Sequence, residues 1–118
     1  MLEQLKFDPR RGVFLIIDDK IRGKVELEHF ANHHVCLHYG IDPPFRRMGW
    51  MTRMVDMIYM NINPNLIHWT DDPFYKIEHC RSGIMTEVGR QFADAYRTKN
   101  NIPLPNMMWE NMCYVRRK

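Results

Sequence analysis

The sequence predicts an α/β (α+β) fold: a mixed, mostly antiparallel sheet with two main helices, in the order β-β-β-α-β-α and with room for one last strand. Apolar and acidic residues alternate in Val25-Glu26-Leu27-Glu28, the two-residue period of a strand with one wet face. Met51, Met54, Val55, Ile58 and Ile62 instead recur at helical spacing, on one side of the wheel. Prolines and Asn/Asp pairs punctuate the stretches between.

The first strand is read at Gly12 to Asp18, from the apolar run Val13-Phe14-Leu15-Ile16-Ile17. Asp18-Asp19-Lys20 supplies a turn, and a second strand runs from Ile21 to about Phe30. The loop Ala31-Asn32-His33 leads to a third, His34 to Ile41, so this region reads as a meander. Asp42-Pro43-Pro44 stops it, because proline donates no ladder hydrogen bond and disfavours helix before it. The helix around Met51 to Ile62 ends at Asn63-Pro64-Asn65, and Leu66 to Thr70 forms a short strand. Strand, helix, strand in succession implies one parallel pairing through a right-handed crossover. Thr86 is the expected N-cap of a second helix, Glu87 to Lys99, with Val88, Phe92, Ala95 and Tyr96 as its apolar face. Asn100-Asn101 ends it, and Met107 to Val115 has the makings of a final strand.

A chain of 118 residues with 45% hydrophobic and 26% charged residues is one domain's worth of ordinary globular protein, spanning 1–118. The net charge of +3 is too mild to indicate nucleic acid. Basic residues nonetheless cluster at Arg10-Arg11, Arg46-Arg47 and Arg116-Arg117-Lys118, pairings that suit phosphate groups. The three cysteines, Cys36, Cys80 and Cys113, are odd in number and form no C-x-x-C pair, which fits a reducing compartment. No apolar run is long enough to span a bilayer. The expected location is therefore cytoplasmic, with no membrane partner. Ten methionines are read as adaptable core filling.

The stretch that carries chemistry is Ile41-Asp42-Pro43-Pro44-Phe45-Arg46-Arg47-Met48-Gly49-Trp50-Met51. A strand ends, a basic loop with one glycine follows, and an amphipathic helix begins. The free N–H groups of a helix start favour anions, Arg46 and Arg47 add charge, and Gly49 permits close backbone approach. That design suits a pyrophosphate.

Arg46-Arg47-Met48-Gly49-Trp50-Met51 also resembles the Arg/Gln-x-x-Gly-x-Gly/Ala signature of the GNAT family of N-acetyltransferases, which lies between that family's fourth strand and the next helix. Ile41-Asp42-Pro43-Pro44-Phe45 is similar to the family's lead-in. The resemblance implies acetyl-CoA as cofactor, with its pyrophosphate on the loop amides and its pantetheine arm along the strand ending at Ile41. It implies transfer of acetyl to an amine, whether a protein lysine, an N-terminus or a small molecule. Leu66 to Thr70 matches the family's fifth strand, and Tyr96 matches the tyrosine that protonates the departing thiolate, with Tyr75 as a second candidate. The chain departs from the pattern at Met51, where a small residue is usual, and at Asn101-Ile102, which replace Gly-Phe. The helices that normally follow the family's first strand are missing.

A base must take the amine's proton. Glu26 and Glu28 share one strand face, and His38 lies three residues before Ile41, so these are the candidates, His38 first. His34, Cys36 and His38 alternate along one strand but lack a zinc-site spacing, so no metal is assigned. The adjacent His79 and Cys80 have poor geometry for a nucleophile and its base. An alternative from another class is a non-catalytic, phage-type inhibitor using the same scaffold to block a partner, with Trp50, Trp69 or Trp109 as exposed anchors. A nucleic-acid binder stacking bases on Trp50 and Phe45 is disfavoured by the charge. A homodimer is left open.

Overall fold

Four antiparallel strands open the chain: β1 (Glu3–Asp8), β2 (Gly12–Ile17), β3 (Lys20–His29) and β4 (Val35–Ile41). The computed structural model describes residues 2–72 and 85–103. Helix α1 (Trp50–Asn61), strand β5 (Ile67–Trp69) and helix α2 (Glu87–Lys99) follow. The fold is α+β, a mixed five-stranded sheet in the order β1-β2-β3-β4-β5 with two helices. The chain divides into two compact units, Met1–Ile67 and His68–Lys118.

The strand that the meander reading missed is β1. Its Leu5 and Phe7 alternate with polar residues and pair with Leu15 and Val13 of β2. The β1–β2 turn is held by Asp8, whose carboxylate accepts from Arg10 N at 2.8 Å while its carbonyl accepts from Arg11 N at 3.2 Å. Asp18 and Asp19 make the β2–β3 turn with both φ positive, at 50° and 68°. That backbone matches the right-handed twist of a two-residue hairpin, and aspartate tolerates it.

In this first unit the sheet is amphipathic by register. Val13, Leu15, Val25, Leu27, Val35 and Leu37 are buried, and the paired positions put them on one face. Helix α1 packs on β2 and β3, burying Trp50, Met54, Val55 and Ile58. Each fully buried aliphatic side chain contributes roughly 1.5–3 kcal/mol. Met51 and Ile62, assigned by spacing to the same apolar stripe, are half-buried at its margins. On the opposite face stand Lys24, Glu26, Glu28 and His38.

One irregularity shapes this unit. The β2–β3 register shifts between Leu15 and Ile16: Leu15 pairs with Gly23, but Ile16 pairs with Ile21. Arg22 is the extra residue, a β-bulge. Its carbonyl accepts from Asp42 N at 2.8 Å, and its guanidinium reaches Asp42 Oδ2 at 3.5 Å. The bulge thus fastens the chain leaving β4. Next to it, Gly23 leaves room for α1, since a Cβ there would stand 3.2 Å from Met54 Cε.

In the second unit, Thr86 caps α2 as expected, its Oγ1 accepting from Gly89 N at 3.0 Å. The helix ends in a Schellman motif: Asn101 is left-handed (φ 58°), Ile102 N donates to Arg97 O at 2.8 Å, and Asn101 N donates to Thr98 O at 3.4 Å. The buried face differs from the expected one. Ala93, Tyr96 and Arg97 are buried and Phe92 is half-buried, whereas Val88 and Ala95 are exposed.

An ion pair accounts for that rotation. Arg97 is fully buried and donates to both carboxylate oxygens of Asp71, at 2.8 and 2.9 Å, and to Asp94 Oδ1 at 2.8 Å. Its guanidinium lies 5.2 Å from the Trp69 ring centroid. Burial alone would lower the Arg97 pKa, but the hydrogen bonds and charge of Asp71, then of Asp94, outweigh it and hold the pKa above the ordinary arginine value. Because the folded pKa is raised, this stabilisation is in place below the ordinary arginine range for as long as Asp71 and Asp94 stay ionised, and it fades as pH rises above that range.

Asp71→Ala leaves the buried guanidinium with Asp94, itself half-exposed, as its one carboxylate among the described residues. The expected loss of unfolding free energy, read by urea denaturation, is about 3–5 kcal/mol. A doubly apolar replacement of Asp71 and Arg97 is expected to lose less than the single variant.

Candidate functional site

The loop from β4 to α1 is built by local hydrogen bonds. Pro43–Phe45 forms one short 3-10 turn, with Phe45 N donating to Asp42 O at 2.9 Å and Arg46 N to Pro43 O at 3.1 Å. The Arg22 guanidinium lies 5.5 Å from the Phe45 ring centroid. Beyond the turn, Arg46 folds back so that its Nε donates to the Ile41 carbonyl at 3.2 Å. Ile41 and Arg46, both sequence-predicted cofactor residues, are thereby joined at the strand end.

Arg47 and Gly49 then take left-handed backbone, at φ 61° and 84°. Gly49 is the N-cap of α1 and brings no side chain to cap it. Helical geometry leaves the first N–H groups of α1 without intrahelical partners. Arg46, Arg47, Met48 and Gly49 are exposed, and a Cβ at Gly49 would meet no atom within 4 Å. Trp50, by contrast, is 7% exposed, and the Arg53 guanidinium stands 4.6 Å from its ring centroid. Met51 is half-buried.

The charged sheet face gathers the proposed bases. His38 is opposite Glu26 in register, yet its Nε2 lies 2.7 Å from Glu28 Oε1, one diagonal step away. Glu26 is engaged by Lys24 Nζ, also at 2.7 Å. Cys36 is opposite Glu28 and buried. Among the described residues, no three side chains of metal-ligand type come together.

Tyr96 belongs to the second unit. It is 6% exposed, with ring centroids of Trp69 at 6.0 Å and Phe92 at 5.8 Å. Tyr75, His79, Cys80, Trp109 and the basic residues 116–118 lie outside the described residues. Trp50 and Trp69 are buried, so neither is an exposed interface anchor. Nor does either offer a base-stacking platform.

Some organising residues had little sequence signal. Arg22 sits in an alternating strand, where the isolated glycine beside it, Gly23, is the one local hint of a bulge. Asp71, Asp72 and Arg97 look like surface charges. Asp72 instead is buried, its Oδ2 accepting from Trp69 N at 3.1 Å. That same oxygen lies 3.3 Å from His68 Nδ1, a close approach without hydrogen-bond geometry.

Gly49→Ala meets no neighbour and carries only the left-handed backbone penalty. The expected destabilisation is about 1–2 kcal/mol, measured by urea unfolding with the far-UV spectrum unchanged.

No helix among the described residues is long and apolar enough to cross a membrane. No family model, curated protein or solved structure matches the chain.

Proposed function

We propose that this protein is an acyl-CoA-dependent N-acetyltransferase, with the loop between β4 and α1 as the pyrophosphate site. The observation that carries this reading is the helix start: Gly49 in left-handed backbone, open space above it, and two exposed arginines beside it. First-turn N–H groups and nearby guanidinium groups are good partners for a diphosphate. The exposed helix start, with Gly49 as its N-cap, suits an extended anion.

Topology adds support. With β1 included, the loop follows the fourth strand and α1 leads to the fifth, the placement of the GNAT signature. Asn101 also takes the left-handed position at which the family's glycine would stand. Met51, half-buried, is the residue that departs from the small side chain of the pattern.

The cofactor is acetyl-CoA and the acceptor is an amine, on a protein lysine, an N-terminus or a small molecule. Acetyl transfer forms the amide as the thioester C–S bond breaks. A group on the charged sheet face, His38, Glu26 or Glu28, takes the amine's proton. The resemblance gives Tyr96 the role of protonating the thiolate. The cysteine pattern favours the cytoplasm. Burial of Trp50 and Trp69 removes two of the three exposed anchors on which the inhibitor reading drew, the third, Trp109, lying outside the described residues.

Isothermal titration with acetyl-CoA tests the proposal. Micromolar binding is expected for the wild type, and its loss in Gly49→Glu, with the fold retained. Equal affinity in the two proteins would remove the loop from the cofactor site.

A further inference from the structure

β1 stands at one end of the sheet order, and among the described residues β2 is its one sheet neighbour. Glu3, Gln4 and Lys6 are exposed, and Leu5, Phe7 and Asp8 are half-buried. The strand therefore presents an open edge, a template for a further strand.

Two contacts fix which backbone groups that edge offers. Asp18 N donates to Leu2 O at 3.0 Å, one step beyond the Glu3–Ile17 pair of the β1–β2 register. Hydrogen-bonded and non-hydrogen-bonded pairs alternate along an antiparallel ladder. Gln4, Lys6 and Asp8 thus turn their backbone groups toward β2, and Glu3, Leu5 and Phe7 turn theirs outward. The far side of β2 agrees. Leu27 N donates to Arg11 O at 3.0 Å, one step beyond the Gly12–Glu26 pair. Val13 and Leu15 therefore bond toward β3, which leaves Phe14 and Ile16, the partners of Lys6 and Gln4, to bond toward β1. A strand added antiparallel must set outward groups opposite outward groups. If that strand is a second β1, an axis at Leu5 pairs its whole length: Leu5 with Leu5, Glu3 with Phe7, Gln4 with Lys6 and Leu2 with Asp8. No like charges stand opposite. An axis at Glu3 or Lys6 sets two like charges face to face, which is destabilising. One at Gln4 leaves Phe7 and Asp8 beyond the paired strand, and one at Phe7 sends Leu5 against Pro9, which has no N–H.

We propose that the protein pairs with a second copy of itself through antiparallel β1 edges, about a two-fold axis at Leu5, so that the two sheets become one. The half-buried Leu5 side chains meet at the axis on the core side, each with its counterpart's Phe7 on the diagonal. The contact is isologous, so it closes on itself and leaves no β1 edge for a third copy. It uses the first unit alone and stands apart from the acetyltransferase reading. A strand edge is a small interface, so the dimer dissociates on dilution.

Sedimentation velocity of the full chain, from micromolar to millimolar concentration, tests the pairing. The mass is expected to rise from one chain to two. Over the same range the amides of Glu3, Leu5 and Phe7 are expected to gain protection from hydrogen exchange, while those of Gln4, Lys6 and Asp8 are protected throughout. Gln4→Lys sets like charges opposite at both ends of the contact and is expected to weaken association about tenfold. Adding Lys6→Glu to that variant makes the same pairs attractive and is expected to restore it. Both positions are exposed, so the far-UV spectrum is expected to stay that of the wild type. A single-chain mass at millimolar concentration overturns the proposal and leaves the edge to an extended segment of another protein. A dimer indifferent to Gln4→Lys, or one that the double variant fails to restore, overturns the Leu5 axis and puts the contact elsewhere.

Discussion

The geometry of the loop depends on one extra residue in β3. Antiparallel pairing of β2 with β3 runs in register as far as Leu15 and Gly23, and Arg22 is then bulged out. Its carbonyl and guanidinium are both committed to Asp42, the first residue beyond β4. Its guanidinium also covers Phe45. The direction in which the chain leaves β4 is therefore set before any loop residue makes its own choice. Without the bulge, Ile21 and all that precedes it in β3 would exchange faces, because strand side chains alternate with period two.

From that anchor the site follows in short steps. The 3-10 turn at Pro43–Phe45 shortens the path, and Arg46 closes back on Ile41. Two left-handed residues, Arg47 and Gly49, then bring the chain into α1. Burial of Trp50 and Met54 holds the helix on the sheet, with Met54 over Gly23 beside the bulge. Polar anchoring at Asp42 and apolar anchoring at Met54 thus act on opposite ends of the same loop. The energetic character of the second unit is different. There the central group is a buried cation, Arg97, and two carboxylates and an indole ring compensate its desolvation.

Much of the fold was legible because period and punctuation agree. The apolar–acidic alternation around Val25 to Glu28 gave β3, Asp18-Asp19 gave its turn, and Thr86 and Asn101 bounded α2. β1 escaped because its signal is short: Leu5 and Phe7 are the only two apolar residues on the core side of an edge strand. The α2 face was misplaced because hydropathy treats arginine as an outward residue, whereas Asp71 and Asp94 draw Arg97 inside. The pairing of Asp71 with Arg97 across 26 residues of sequence leaves no local pattern. The loop was legible as strand, glycine and helix. Its attachment to Arg22 was not, because Gly23 hints at a bulge but not at the partner, Asp42, that the bulged residue holds. On the sheet face, alternation placed Glu26, Glu28 and His38 together, but only coordinates separate the Lys24–Glu26 pair from the Glu28–His38 pair.

The central claim is that a CoA diphosphate sits on the amides at the start of α1. Its most direct test is a proton–nitrogen correlation spectrum of the labelled protein, recorded as CoA is added. Saturable shifts centred on the amides of Arg47 to Met51, with the Arg46 side chain following, are the predicted result. Saturable shifts elsewhere, or none at millimolar CoA, would contradict it and leave the loop as a connection between strand and helix.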